Sequence, residues 1–231
     1  MATHLDLQEQ EQVDALKAFW NQYGNLITWA LVAALAVYAG INGWQYWQRD
    51  QAQKAGAMFD ELDRAAQAGD ADKTARIFAD MKDRYGRTAF ALQAGLLTAK
   101  VLSQKDKGDD ARAALTWVVD RAGDDEYRAL ARLRLAGLLL DAKQFDEALK
   151  QLDAVVGAGP FAALVADRRG DVLMAQGKAG EAKAAYQQAW QAMDDTVEYR
   201  RLIDAKLTAL GAAPGKAAQT AASAPAVGAS R

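Results

Sequence analysis

From Ala18 to Gln48 the chain carries no Asp, Glu, Lys or Arg, a gap of 31 positions in a sequence that is 25% charged. The centre of the gap, Asn25 to Trp44, reads NLITWALVAALAVYAGINGW. Its apolar stretch from Leu26 to Gly43 spans roughly 27 Å at ~1.5 Å per residue, close to the ~30 Å of bilayer hydrocarbon. Trp20 and Tyr23 precede the stretch, and Trp44, Tyr46 and Trp47 follow it, the placement of aromatic belts at two membrane interfaces. Four of the six tryptophans lie between positions 20 and 47, which the core helix of a soluble protein would not require. The stretch predicts one membrane-spanning helix, assigned to residues 25–46 and surrounded by the lipid bilayer.

A cleaved signal sequence would carry a basic N-terminal region, a shorter apolar core and small residues at the cut. Here Asp6, Glu9, Glu11 and Asp14 stand against the single Lys17, and bulky Trp44, Tyr46 and Trp47 follow the core. The expectation is an uncleaved anchor preceded by a tail of residues 1–24. Lys17 on one side and Arg49, Lys54 and Arg64 on the other lean slightly toward a cytoplasmic C-terminal part. So small a margin leaves the orientation open on charge alone. Along the span, Ala36 with Gly40 and Ala39 with Gly43 form small-xxx-small pairs, candidates for close packing against another membrane helix.

Composition narrows the chemistry. With no cysteine and His4 as the only histidine, disulfides, Cys-based metal sites and His-dependent nucleophilic catalysis are excluded. A net charge of −2 gives no reason to expect a nucleic-acid partner. The acidic pairs Asp109-Asp110, Asp124-Asp125 and Asp194-Asp195 are the remaining catalytic equipment. Neighbours on a helix point about 100° apart, so such pairs do not converge as an acid/base dyad. Asp109 and Asp124 read as helix caps. No enzymatic role, cofactor or metal is expected.

From Asp50 to about Leu210 apolar residues recur at helical period between short Gly- or Asp-marked breaks, with no alternation of strand character. Helices are predicted near 51–68, 72–85, 88–104, 109–122, 125–141, 145–157, 161–176, 179–193 and 195–210. Two helix pairs repeat at an offset of 34: Ala136 aligns with Gly170, Leu139 with Leu173, Ala148 with Ala182, Leu152 with Tyr186 and Val155 with Ala189. That is the period of the tetratricopeptide repeat, and Pro160 is expected two or three residues past the second helix of its unit. Residues 92–102 with 110–119, and more weakly 58–65 with 74–81, look like further copies. The predicted fold is all-α: a single N-terminal transmembrane helix followed by a tetratricopeptide-like solenoid of about four helix pairs over residues 50–210. Residues 211–231, rich in Ala, Gly, Ser and Pro, read as a disordered tail.

The acidic tail, the span, the tract from Trp44 to Leu62 and the units LQAGLLTAKVL with DARAALTWVVDRA and RLRLAGLLLDAKQFDEAL together resemble the YfgM family. Its members are ancillary subunits of the bacterial SecYEG translocon. The resemblance implies a single-pass inner-membrane protein with a cytoplasmic N-terminus and periplasmic repeats, opposite to the slight charge lean. It also implies the SecYEG translocon and the periplasmic chaperone PpiD as partners, with a part in handing over unfolded exported polypeptides. A membrane-tethered adaptor for another envelope-assembly machine is the alternative.

Stacked first helices of such a solenoid line a surface that holds an extended chain. Projecting the two clean repeats puts Leu130, Leu133, Leu140, Asp141, Leu164, Asp167, Asp171 and Met174 on that side. Leu and Met would grip apolar segments, with Asp setting the charge preference. The runs Arg132-Arg134 and Arg168-Arg169, with Asp167 and Asp171, read as solvated helix faces, a ligand-facing role being the alternative.

Overall fold

The computed structural model of the chain describes residues 7–155 and 159–213, with side chains from Glu11 onward. Among the described residues it is helical, with no strand: α1 (Leu7–Gln67), α2 (Ala71–Tyr85), α3 (Ala89–Gln104), α4 (Gly108–Arg121), α5 (Asp125–Asp141), α6 (Phe145–Asp153), a 3-10 turn (Gly159–Phe161), α7 (Ala162–Ala175), α8 (Ala179–Ala192) and α9 (Tyr199–Ala209). Two compact units divide the chain, Met1–Lys54 and Ala55–Arg231. The expected tail 211–231 falls outside the described residues from position 214 on, as do residues 1–6 of the N-terminal tail.

In the first unit the apolar stretch of α1 is bare. Its most apolar 18-residue window has a mean hydropathy of 1.7 and is only 6% buried, with Leu26 and Trp29 among the large side chains left open. A core helix would be covered on at least one face. Two polar side chains inside the stretch fold back onto the helix: Thr28 Oγ1 donates to the Gly24 carbonyl at 2.8 Å, and Asn42 Nδ2 to that of Tyr38 at 2.8 Å. Such bonds reduce the polar surface a helix offers to lipid. The separate helix expected from residue 51 does not exist as such. Residues 47–54, WQRDQAQK, contain neither Gly nor Pro, and Lys54 donates to Asp50 one turn back at 2.7 Å, so α1 continues through the composition change to Gln67.

The second unit is built of helix pairs. Ala55, Leu62 and Ala65 at the end of α1 share a core with Ile77, Phe78 and Met81 of α2, and α3–α4, α5–α6 and α7–α8 follow as hairpins. Each hairpin turns in the same way. Gly69, Asp106, Lys143 and Gly177 adopt left-handed φ of 70°, 59°, 58° and 78°. The next residue's N–H then donates five positions back, Asp70 to Ala65, Lys107 to Leu102, Gln144 to Leu139 and Lys178 to Leu173, at 2.8–3.0 Å. This closes the carbonyls at the helix end by the left-handed C-terminal motif.

Repeat-equivalent positions have equivalent burial except at Val155, half-buried beyond the end of α6 where Ala189 is enclosed. Ala136, Ala148 and Ala182 are completely enclosed, and Leu152 and Tyr186 nearly so. A second, smaller core joins Leu173 of α7 and Tyr186 of α8 to Ile203 and Leu207 of α9. Helix α9 is thus an unpaired helix closing the end of the array.

Several local expectations shift. Helix α6 stops at Asp153, not 157, so Pro160 lies in the 3-10 turn seven residues further on. Helix α9 begins at Tyr199, not 195, because the Asp194 carboxylate accepts from the N–H and Oγ1 of Thr196 at 2.9 and 2.7 Å and turns the chain there. Asp124 caps α5, accepting from the N–H groups of Glu126 and Tyr127. Asp109 does not cap α4: Lys107 holds that position, and Asp109 sits in the first turn, paired with Arg112.

Candidate functional site

Helices α3, α5 and α7, the first helices of successive pairs, lie side by side and form one face of the solenoid. Where the sequence-predicted site residues fall on it is uneven. Leu130, Leu133 and Leu140 are half-buried and pack onto the main core, so they hold the repeats together. Leu164 is half-buried as well, while Met174 is 39% exposed. Asp141 is exposed. In the span, Ala36, Ala39, Gly40 and Gly43 are all exposed, and a Cβ added at Gly40 or Gly43 would touch nothing.

The two aspartates expected to set a charge preference do not face an open groove. Asp167 is 1% exposed and accepts from Tyr199 Oη at 2.8 Å and from Lys206 Nζ at 2.8 and 2.9 Å. Asp171 accepts from Tyr186 Oη at 2.9 Å and from the same Lys206 at 2.7 Å. Both tyrosine hydroxyls are pushed well above their ordinary pKa, by burial first and then by the carboxylates they serve. Lys206 of α9 therefore engages both acids, Asp167 fully enclosed and Asp171 half-buried with a second bond from Tyr186 of α8.

A groove of about 460 Å³ opens further along the same face. Ala99, Lys100, Ser103 and Gln104 of α3, Leu115 of α4, Arg134, Gly137, Leu138 and Asp141 of α5 and Arg168 of α7 line it. Arg134 Nη1 donates to the Leu96 carbonyl at 3.1 Å, which fixes its guanidinium at the groove wall. The adjoining helices displace enough water there to lower its pKa. Arg168 passes beside Gly137, its guanidinium carbon 3.8 Å from where a Cβ would stand. Arg168 Nη1 is 3.6 Å from Asp171, an acid already engaged by Lys206 and Tyr186. Among the described residues, Lys100 and Arg134 enter no ion pair.

The sequence alone reads these arginines as solvated faces, with a ligand-facing role as the alternative. A signal was present: Arg134 and Arg168 are 34 residues apart, the repeat period, and so occupy equivalent positions on successive first helices. Of the other two, Arg132 donates to Gln151 at 3.1 Å and Arg169 pairs with Asp153, so these tie neighbouring helices together.

Helical hairpins stacked at this period define a repeat protein of the tetratricopeptide class. A family profile described as a tetratricopeptide repeat-like domain matches residues 17–212. Solved structures of the same fold include MamA from Desulfovibrio magneticus RS-1, with a TM-score of 0.52 at 17% identity over 75% of this chain and 98% of that one. A protein of TPR-like repeats from Podosopora anserina matches with a TM-score of 0.55 at 16% identity, over 73% of this chain and 90% of that one.

Among curated relatives, the ancillary SecYEG translocon subunit of Neisseria gonorrhoeae is 34% identical over 91% of this chain and 100% of its own length. The Escherichia coli K12 protein of the same name is 31% identical over 78% of this chain and 85% of its own, and that of Haemophilus influenzae 31% over 80% and 90%. The chain belongs to the family of ancillary SecYEG translocon subunits, with a tetratricopeptide repeat-like domain.

Proposed function

We propose that this chain is a non-enzymatic adaptor of the bacterial inner membrane, which holds a polypeptide-binding solenoid beside the SecYEG translocon. Residues 25–46 act as its single span, residues 1–24 face the cytoplasm and the repeats face the periplasm. The observation that carries the reading is the bare apolar stretch of α1, with its aromatic residues at both ends, in a chain whose remaining helices form a repeat surface. The names of its relatives support the translocon as the assembly it joins.

A tether concentrates the solenoid at the membrane, where weak contacts become effective. In this role it associates with the periplasmic chaperone PpiD and assists handover of unfolded exported polypeptides as they emerge. Each such contact is weak, because an unfolded client loses conformational entropy on binding. The span offers a second contact through Ala36, Ala39, Gly40 and Gly43, whose small side chains permit close approach of another helix.

Purification of the full chain from detergent-solubilised membranes tests the reading. Recovery of Sec subunits together with PpiD supports it. Recovery of cell-wall or outer-membrane assembly factors in their place assigns the adaptor to another machine.

A further inference from the structure

We propose that the groove between α3, α5 and α7 recognises an extended polypeptide segment by its carboxylate side chains, so that the solenoid selects acidic stretches of its partner. The inference rests on the reading of the solenoid as a polypeptide-binding surface and adds the chemistry of what it holds. Three cations, Lys100, Arg134 and Arg168, line the groove against one acid, Asp141, although the whole chain is net negative at −2. The acids that a projection of α7 places nearby, Asp167 and Asp171, are already taken up by Lys206, Tyr186 and Tyr199. One ammonium against two carboxylates leaves this cluster a single negative charge, which falls on Arg168, 3.6 Å from Asp171, so the groove stays positive through Lys100 and Arg134.

Geometry sharpens the preference. Arg134 is held by a backbone carbonyl, a neutral partner, while its surroundings have removed part of its water. A guanidinium in that state gains most from a planar anion able to accept two of its N–H groups, which a carboxylate does. Arg168 reaches the same groove from the equivalent position one repeat on, across Gly137, and Lys100 stands on α3. The cations thus come from three successive first helices, in the order an extended chain laid across them would meet. Leu138 and Ala99 supply apolar floor between the charges. An acidic chain with interspersed apolar residues matches both features.

The test uses the full chain in nanodiscs of zwitterionic lipid. Three fluorescent peptides share length and apolar residues and carry Glu, Gln or Lys at the same alternating positions; binding is read by anisotropy. The Glu peptide binds about tenfold more tightly than the Gln peptide at low salt, the Lys peptide more weakly still, and the advantage shrinks as salt rises. Arg134→Gln and Lys100→Glu each lower affinity for the Glu peptide about three- to tenfold, so that its advantage over the Gln peptide shrinks, with the melting temperature unchanged. Because Lys100 is exposed and unpaired among the described residues, its variant remains informative if Arg134→Gln melts early. Equal binding of Glu and Gln peptides, or Glu-peptide affinity indifferent to both substitutions, overturns the acidic preference while leaving polypeptide binding standing. Displacement of the Glu peptide by phosphatidylglycerol vesicles as readily as by unlabelled peptide also overturns it, making the groove a headgroup site. Binding of none of the three peptides overturns the polypeptide-binding reading itself.

Discussion

The ring of Tyr186 fills the space that a side chain on Gly170 would need: a Cβ there would lie 2.4 Å from Cε1 and 2.5 Å from Cδ1. The ring is 3% exposed and its hydroxyl is bonded to Asp171, so it has nowhere to retreat. Helices α7 and α8 approach as they do because one of them presents bare backbone at this point.

Gly170→Ala is therefore expected to destabilise by about 1–3 kcal/mol, the cost of overpacking a filled contact, despite alanine's better helix propensity. Gly137→Ala is the matched comparison, since its Cβ would come no closer than 3.8 Å to Arg168. Thermal melts of the two variants should move in opposite directions or at least separate clearly. Coinciding melts would show that the α7–α8 contact is looser than described.

Lys143 performs the turn that glycine performs at the equivalent position 177, at φ 58°. A residue with a Cβ pays about 1 kcal/mol in this region, and glycine does not. Lys143→Gly should raise the melting temperature by a few degrees, with the circular dichroism spectrum unchanged. A drop would mean that the lysine side chain contributes more than its backbone conformation costs.

Helix α9 is held by Lys206, and its loss should be felt at the end of the array. Lys206→Met leaves Asp167, 1% exposed, without its cation, and a loss of about 2–4 kcal/mol is expected. Hydrogen exchange should rise in α9 and α7 before it rises in α3. Uniform exchange across the solenoid would argue against a separately held end.

The same contacts give an alkaline pH dependence. Burial, and then Asp171 and Asp167, hold the Tyr186 and Tyr199 hydroxyls above their ordinary value of 10.0. Below about pH 10 both states keep these protons and the contribution is constant. Above it the unfolded chain releases them first, so stability falls as pH rises further. A Tyr186→Phe, Tyr199→Phe double variant should start less stable at neutral pH and show a shallower decline between about pH 9.5 and 11.5. A decline of equal slope in both proteins would assign the effect to other groups.

Orientation is open to direct labelling, because the chain contains no cysteine. Gln187 is exposed on α8, and Gln187→Cys is expected to react with an impermeant maleimide in intact spheroplasts. Reaction only after lysis would place the repeats in the cytoplasm.

The apolar span, the all-helical class and the repeat of the two clean units were legible in the sequence because each is written locally. An absence of charge from Ala18 to Gln48, a helical period of apolar residues and Asp124 at a helix start all act within a few residues of where they stand. The breaks at both turns were legible as well, but not that Asp106 and Lys143 are their left-handed residues, since neither is the glycine that normally marks one. Arg134 and Arg168 carried their equivalence in their spacing, but a cation on a helix face usually meets only water. Asp167 and Asp171 could not be placed by any local pattern. Their partners Lys206 and Tyr199 stand 32–39 residues beyond them, on a helix outside the repeat register. Periodicity says which side of a helix a carboxylate is on. Whether that side meets solvent, a ligand or an ammonium group depends on which later segment the chain folds back against it, and only tertiary packing decided that α9 covers these two acids.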